Sequence, residues 1–364
     1  MAKTRVLVVE DSLTVRKRML EVLGADPDIE IVGEADDGKR GIELCRRLRP
    51  DVVTLDMMLP RMTGLEATEF IMAYCPTPIL IVSASTNRRD LFKTYDALAA
   101  GALDVLDKPQ GNEIDDAWER KFVSTVKLLS RIKVIMHPRA LLGPMGQPPA
   151  GAASIEAASR GAALPREGRL RAVAIGVSTG GPAALIEILR GLPHGFPLPI
   201  LLVIHIGKFF APAFAEWLDG RSPVRVAYAA DGEPLPPFGE GRVLMAGPDS
   251  HLVLRQGKLR LTQDPERHSC RPSVDVLFAS LAQDLGADCA ACLLTGMGRD
   301  GAEGLLAIRR AGGRTIAQDQ ATSVVFGMPK EAILLGAAEQ VLPLEKIAPE
   351  LDAMARGAAT GRRI

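Results

Sequence analysis

The chain has 364 residues, 47% hydrophobic but only 4% aromatic, with 44 Lys+Arg against 44 Asp+Glu. At about 150 residues per domain this implies two domains and a linker, and the aliphatic bias suits buried parallel sheets. The zero charge balance excludes an electrostatic funnel for nucleic acid or a pull towards acidic membranes. The first ten residues hold only four consecutive apolar residues, too few for a secretory signal. No apolar stretch approaches the about 20 residues that span a bilayer. A soluble, cytoplasmic protein is expected.

Val6–Val9, Ile29–Gly33, Val52–Leu55, Ile79–Val82 and Leu103–Leu106 read as strands. Ser12–Leu23, Gly38–Arg47, Gly64–Met72 and Asp90–Ala100 carry helical periodicity between them. Five strand–helix units predict a doubly wound parallel sheet. A last helix over Asp115–Met136 aligns Trp118, Phe122, Val126, Leu129 and Ile132 on one face. His137–Arg169 is rich in Gly, Pro and Ala without periodicity and reads as a linker. Alternation resumes at Leu170, with strands over Val173–Ile175, Ile200–Ile204, Arg225–Ala229, Ala290–Leu294 and Thr315–Ala317. His251–Arg255 and Lys258–Thr262 form a hairpin around Gln256-Gly257. The expected domains are 1–136 and 170–356, joined by a linker over 137–169. Both are doubly wound α/β parallel-sheet domains, the first flavodoxin-like, the second Rossmann-like with an inserted hairpin.

The five cysteines, Cys45, Cys75, Cys270, Cys289 and Cys292, are scattered and odd in number, which argues against a disulfide framework. Cys289 and Cys292 lie three apart on one strand and so face opposite ways, wrong for a shared metal. Buried, reduced thiols are expected.

Open parallel sheets bind ligands at the carboxyl ends of their strands. In the first domain those ends carry Glu10 and Asp11, Asp56, Ser83 and Lys108. Three carboxylates crowded together call for a hard cation, and Mg²⁺ is the natural choice. Beside it Asp56 can attack phosphorus to give an aspartyl phosphate, with Ser83 and Lys108 bonding the phosphoryl oxygens. The bland alternative, acidic and basic strand ends facing water, would suit one such residue better than four. Leu55-Asp56-Met57-Met58-Leu59-Pro60-Arg61-Met62-Thr63-Gly64-Leu65-Glu66 and Asp107-Lys108-Pro109 make residues 1–125 resemble a response-regulator receiver domain. The resemblance implies Mg²⁺ ligation by Asp11, Asp56 and the Met58 carbonyl, Glu10 acting through water, and a cis peptide before Pro109. Val105 stands where many receivers carry a switching aromatic, a departure from the pattern.

In the second domain Gly176-Val177-Ser178-Thr179-Gly180-Gly181 follows a strand and precedes a helix, the context that a nucleophilic serine in G-x-S-x-G requires. The helix N-terminus behind it suits an oxyanion. The competing readings are a serine or threonine helix cap and a phosphate-binding loop, the latter weakened by the absence of G-x-G-x-x-G. Of five histidines, His137 lies in the linker, His194 precedes a strand, His251 opens the hairpin and His268 lies in a polar loop. His205 alone directly ends a strand on the Ser178 edge, and is the best base. A third member comes from the same edge: Asp300, whose plainer role is a capping box with Glu303, or in reserve Asp319. The order Ser…His…Asp disfavours an α/β-hydrolase.

Four motifs now carry a second resemblance: Gly176–Gly181, Arg271-Pro272-Ser273-Val274-Asp275-Val276-Leu277-Phe278, Leu294–Gly304, and Ala317-Gln318-Asp319 with Val325-Phe326-Gly327-Met328-Pro329. Residues 170–350 resemble the catalytic domain of chemotaxis protein-glutamate methylesterases. The resemblance implies a Ser178, His205, Asp300 triad and an oxyanion site at the backbone of Thr179 and Met297. It implies methylated chemoreceptor helices as substrate, a histidine kinase as phosphodonor, glutamine deamidation as a second activity, and no cofactor in the esterase domain. One departure lies beside the chemistry: Ile206-Gly207 follows His205 where the family usually has Met-Pro. A monomer is expected, with neither nucleic acid nor membrane as partner. The rival reading is an interaction module, a receiver with a decayed esterase, against which the intact Ser, His and Asp argue; a DNA-binding regulator is weaker still.

Overall fold

A computed structural model describes residues 3–84, 87–109, 116–132, 134 and 170–360. The linker expected over 137–169 lies outside them, as does His137. In chain order the first part runs β1 (Thr4–Val9), α1 (Leu13–Gly24), β2 (Ile29–Ala35), α2 (Gly38–Leu48), β3 (Val52–Leu55), α3 (Gly64–Tyr74), β4 (Ile79–Ser83), α4 (Arg88–Ala99), β5 (Asp104–Asp107) and α5 (Asp116–Leu129). The strands make a parallel sheet in the order β2-β1-β3-β4-β5.

Side-chain alternation assigns each face of that sheet. Leu7, Val9, Val53, Leu55, Ile79 and Ile81 point into a core shared with α2, α3 and α4. Val6, Val8, Val52, Leu80 and Val82 point the other way, against α1 and against Trp118, Phe122, Val126 and Leu129 of α5. The helix expected over Asp115–Met136 is shorter, because Arg131 N bonds Leu128 O and Ile132 N bonds Leu129 O, tightening the chain into a final turn.

The second part runs β6 (Ala172–Val177), α6 (Gly181–Gly191), β7 (Ile200–Ile204), α7 (Phe214–Asp219), β8 (Val226–Tyr228), β9 (Val243–Met245), β10 (His251–Arg255), β11 (Lys258–Thr262), α8 (Val274–Asp284), β12 (Cys289–Leu293), α9 (Ala302–Arg310), β13 (Arg314–Gln318), α10 (Met328–Leu334), β14 (Gln340–Leu342) and α11 (Leu344–Thr360). Seven parallel strands lie in the order β14-β13-β12-β6-β7-β9-β8, and β10-β11 is the separate antiparallel hairpin. Strands β9 and β14 escape a reading by pattern because three residues each are too few to show a period. Cys292 joins the core that α6 and α11 cover, and Cys289 the core that α8, α9 and α10 cover. The two thiols thus sit on opposite faces, buried and unpaired in any disulfide.

The two parts meet through α4, which packs on α6 and α7. Tyr95 is fully buried there; its hydroxyl donates to the Phe210 carbonyl, and its ring stands edge-on to Phe214 at 5.3 Å. Asp96 accepts from Trp217 Nε1 at 2.9 Å and pairs with Arg221, while Arg88 pairs with Glu216. No helix among the described residues is long and apolar enough to cross a membrane.

Candidate active site and phosphoacceptor pocket

Both sheets reverse direction of winding where their candidate sites lie, the place at which open α/β sheets leave a crevice. In the first sheet this is the gap between β1 and β3. Asp56 N bonds Val9 O at 2.9 Å, holding the β3 end beside Glu10 and Asp11. Glu10, Asp11 and Asp56 offer ligand oxygens within 4.8 Å of one another. Glu10 is 0% and Asp56 2% exposed. Gly64 is required close by, since a Cβ there would lie 2.3 Å from Asp56 O.

Lys108 Nζ reaches this cluster from the β5 end, bonding Glu10 Oε1 at 2.8 Å and pairing with Asp56 Oδ2 at 2.9 Å. Its backbone N bonds Ser83 O, joining the β4 and β5 ends. One lysine does not satisfy four buried carboxylate oxygens. Among the described residues Glu10 Oε2 and Asp56 Oδ1 have no hydrogen-bond donor, and Asp56 Oδ2 has the Lys108 ion pair alone. Burial, and next the Asp56 charge, push Glu10 up to about 7. Burial pulls Lys108 down, but the Asp56 and Glu10 carboxylates outweigh it and hold it above its ordinary value. Orphaned hard oxygens of this kind fit a Mg²⁺ ion. The Met58 carbonyl, in the loop after Asp56, accepts no hydrogen bond among the described residues, and the Met58 side chain is 49% exposed. The cis peptide expected before Pro109 is not found; among the described residues the cis bond is Arg271–Pro272.

In the second sheet, pairing of Val177 with Ile204 puts Ser178 and His205 one residue beyond the ends of neighbouring strands. His205 N bonds Val177 O at 3.0 Å, and Ser178 N bonds Thr295 O at 3.0 Å. His205 Nε2 lies 2.9 Å from Asp300 Oδ2. An ionised carboxylate only accepts, so Nε2 carries a proton and Nδ1 is the nitrogen left to act as base. Burial lowers the imidazole's affinity for a second proton, but the bonds to Asp300 and Cys270 outweigh it and raise His205 to about 9. Burial would raise Asp300, yet the His205 hydrogen bond and charge, with donors from Ser273 and Val274, keep it below its ordinary value. No hydrogen bond joins Ser178 to His205 among the described residues, a common state of such pairs before substrate binds.

Asp300 is held by the start of α8. Ser273 Oγ donates to its Oδ1 at 2.7 Å, Asp275 N to the same oxygen at 3.1 Å, and Val274 N to Oδ2 at 2.7 Å. A helix N-terminus is a ready anion site, so α8 fixes both the charge and the direction of this carboxylate. The capping box, the plainer alternative for Asp300, does not form: α9 starts from Gly301 without a side-chain cap, and Glu303 pairs with Arg267. The reserve candidate Asp319 instead ties a turn, its Oδ1 accepting from Thr322 N and Oγ1 at 2.9 and 2.7 Å. His251 is structural, bonded to Ser273 N and facing the Pro265 carbonyl.

Three loops close around Ser178. Thr295 Oγ1 donates to Thr179 O at 2.9 Å and accepts from Val325 N at 2.9 Å. Gly296 is packed so closely that a Cβ would meet Met328 Sδ at 2.4 Å and Ser178 Cβ at 2.7 Å. The backbone N–H groups of Thr179 and Met297 donate to no other group among the described residues. A cavity of about 730 Å³ opens between the two parts of the chain, bordered by Met72, Gly101, Ala183 and Val324, but Ser178, His205 and Asp300 do not line it. A hollow of about 20 Å³ lies beside Ile204 and Ile206, the residues on either side of His205, and the His205 side chain is partly exposed.

Two contributors were not legible beforehand. Ser273, within a stretch that carries the resemblance, is readable as a helix cap, but its bond to Asp300 spans 27 positions. Cys270 Sγ lies 3.9 Å from His205 Nδ1. It is presented by a turn in which His268 and Ser269 both have positive φ, 53° and 58°, unusual for non-glycine residues.

Comparison with known proteins adds the following. The family model "CheB methylesterase" matches residues 173–351, and "Response regulator receiver domain" matches residues 6–118. A Nitrosospira multiformis protein named protein-glutamate methylesterase/protein-glutamine glutaminase is 45% identical over 351 residues, covering 95% of each chain. An Anaeromyxobacter dehalogenans protein of the same name, numbered 2, is 43% identical over 352 residues, covering 97% of each. The crystal structure of the Thermotoga maritima CheB methylesterase catalytic domain is 39% identical, with a TM-score of 0.48, covering 51% of this chain and 98% of that one.

Proposed function

Because the chain belongs to the CheB methylesterase family and carries a receiver domain ahead of the esterase, we infer that it hydrolyses glutamyl γ-methyl esters on chemoreceptors under control of phosphorylation. The observation that carries the chemistry is the His205–Asp300 pair at 2.9 Å, set beside Ser178 at the ends of adjacent strands. Ser178 Oγ attacks the ester carbonyl as His205 Nδ1 takes its proton. The oxyanion that forms is bonded by the backbone N–H groups of Thr179 and Met297. Return of the proton from His205 expels methanol and leaves an acyl-serine. Water, deprotonated by His205 in its turn, then releases the glutamate carboxylate. Asp300 holds the tautomer throughout and stabilises the imidazolium.

A receptor helix is a protein substrate, and a strand-end edge with a partly exposed His205 suits it. The same attack on a glutamine side chain would release ammonia in place of methanol, so deamidation is the second activity of this site. In the receiver domain, Asp56 is the phosphoacceptor, a histidine kinase the donor, and Ser83 and Lys108 the phosphoryl partners. Mg²⁺ would be held by Asp11, Asp56 and the Met58 carbonyl, with Glu10 through water, and would supply charge neutralisation for phosphoryl transfer.

The experiment is methanol release from a methylated receptor by the purified chain beside Ser178→Ala. Release by wild type alone is expected. Release by both would refute the assignment, and release by neither would favour the interaction-module reading.

A further inference from the structure

We propose that His205 Nδ1 and Cys270 Sγ form a binding site for a zinc ion, whose occupancy switches the esterase off. The inhibitory half of this proposal rests on the reading of His205 as the catalytic base. The site itself rests on geometry alone.

Zinc binds imidazole nitrogen at about 2.0–2.1 Å and thiolate sulfur at about 2.3 Å, so tetrahedral ligands of these types stand about 3.6 Å apart. The observed separation is 3.9 Å, and a few tenths of an ångström close the gap. The histidine is already oriented as metal-ligating histidines are. Its far nitrogen, Nε2, faces the Asp300 carboxylate at 2.9 Å, the carboxylate–histidine–metal arrangement that fixes the tautomer and raises ligand basicity. Asp300 is anchored by three further donors from the start of α8, so it supports the ion from behind.

His205 Nδ1 is left without a hydrogen bond to any oxygen or nitrogen among the described residues. Both side chains are partly open to solvent, which gives an ion its path and leaves room for water in the remaining positions. The thiol releases its proton to solvent as the sulfur–zinc bond forms, and no oxidation state changes.

Two other clusters of potential ligands differ in kind. Glu10, Asp11 and Asp56 offer oxygen only and suit a hard cation. His268, Asp275 and Glu303 lie together, but Arg267 pairs with both carboxylates and Arg299 donates to His268. The cationic side chains already fill that position. Cys270 supplies the one soft ligand beside an acceptor nitrogen among these clusters.

A zinc ion on Nδ1 occupies the lone pair that must take the Ser178 proton. Hydrolysis therefore stops while the ion is bound and resumes on chelation. The test uses the full chain in excess Mg²⁺, with free zinc buffered through the micromolar range. Each variant's methanol release is scaled to its own zinc-free rate. Cys270→Ala should raise the zinc concentration for half-inhibition by about tenfold or more.

Cobalt(II) serves as the second probe. Wild type and Ser178→Ala should both give a thiolate-to-cobalt charge-transfer band in the near ultraviolet, and Cys270→Ala should not. Equal zinc sensitivity in wild type and Cys270→Ala, or a cobalt band that survives loss of Cys270, would overturn the proposal. A cobalt band that needs Cys270 in a chain with no Ser178-dependent esterase activity would uphold the metal site and remove the esterase reading instead.

Discussion

At the scale of single residues, the chemistry depends on which nitrogen of His205 is free and when. Asp300 fixes that nitrogen as Nδ1 and also holds the imidazole at about 9, against burial. A base must be unprotonated, so kcat/KM should rise with pH through a limb well above the ordinary imidazole value of about 6.5. The charged pair contributes to stability below about 6.5 and loses that contribution as pH rises through about 9. Removing Cys270, one of the groups that raise His205, should move the kinetic limb to lower pH. A limb at the ordinary value in wild type would contradict the coupling. Ser178→Ala should lower kcat by about 10⁴–10⁶-fold with an unchanged circular dichroism spectrum, because members of a triad act as a unit. Asp300→Ala should cost several orders of magnitude and Asp319→Ala far less, since among the described residues the Asp319 carboxylate bonds Thr322 of its own turn and not His205. The positions of Ser178, His205 and Asp56 were legible in the sequence, because each follows the last residue of a strand at the edge where open sheets bind ligands. Cys270 was not, for nothing in a polar loop announces that two left-handed residues will turn its thiol onto an imidazole 65 positions away.

At the scale of elements, strand ends and helix starts do the positioning. The five receiver strands and the hairpin were readable from runs of β-branched and aliphatic residues, whereas β9 and β14 were too short to show a pattern. The strand after Leu170 was readable too, but the use of α8 was not. A Ser-x-x pattern at a helix start signals a cap, and Ser273 does accept from Val276 N. Its second bond, to Asp300, exists only after β12 and α8 have packed together. Ser273→Ala should therefore act twice. Loss of the cap should cost about 0.5–2 kcal/mol in denaturant unfolding, and freeing Asp300 on one side should lower kcat without changing the receiver's phosphorylation. Stability loss with unaltered kcat would mean that the two backbone donors hold Asp300 unaided.

At the scale of the molecule, α4 joins the two activities. It follows β4, whose last residue is Ser83, and it carries Tyr95 and Asp96 into the contact with α6 and α7. Under the proposed phosphorylation, a phosphoryl group on Asp56 would draw Ser83 and Lys108 towards it, and α4 lies in the chain between β4, which ends at Ser83, and β5, which Lys108 follows. Val105, where many receivers carry a switching aromatic, is buried in the same core as Tyr95. Docking within one chain is shifted by a few kcal/mol of differential stability, and the Asp96 bonds to Trp217 and Arg221 are of that order, about 1.5–3 kcal/mol for hydrogen bonds to a charged group before solvent screening reduces them. The central claim is that this contact restrains a Ser178 esterase until Asp56 is phosphorylated. It is tested by the initial rate of methanol release from a methylated receptor, with and without acetyl phosphate, for wild type, Asp56→Asn and Asp96→Ala. The account predicts acceleration of wild type by acetyl phosphate, no response from Asp56→Asn, and a raised, weakly responsive rate from Asp96→Ala. A wild-type rate indifferent to acetyl phosphate, with Asp96→Ala no faster than wild type, would contradict it.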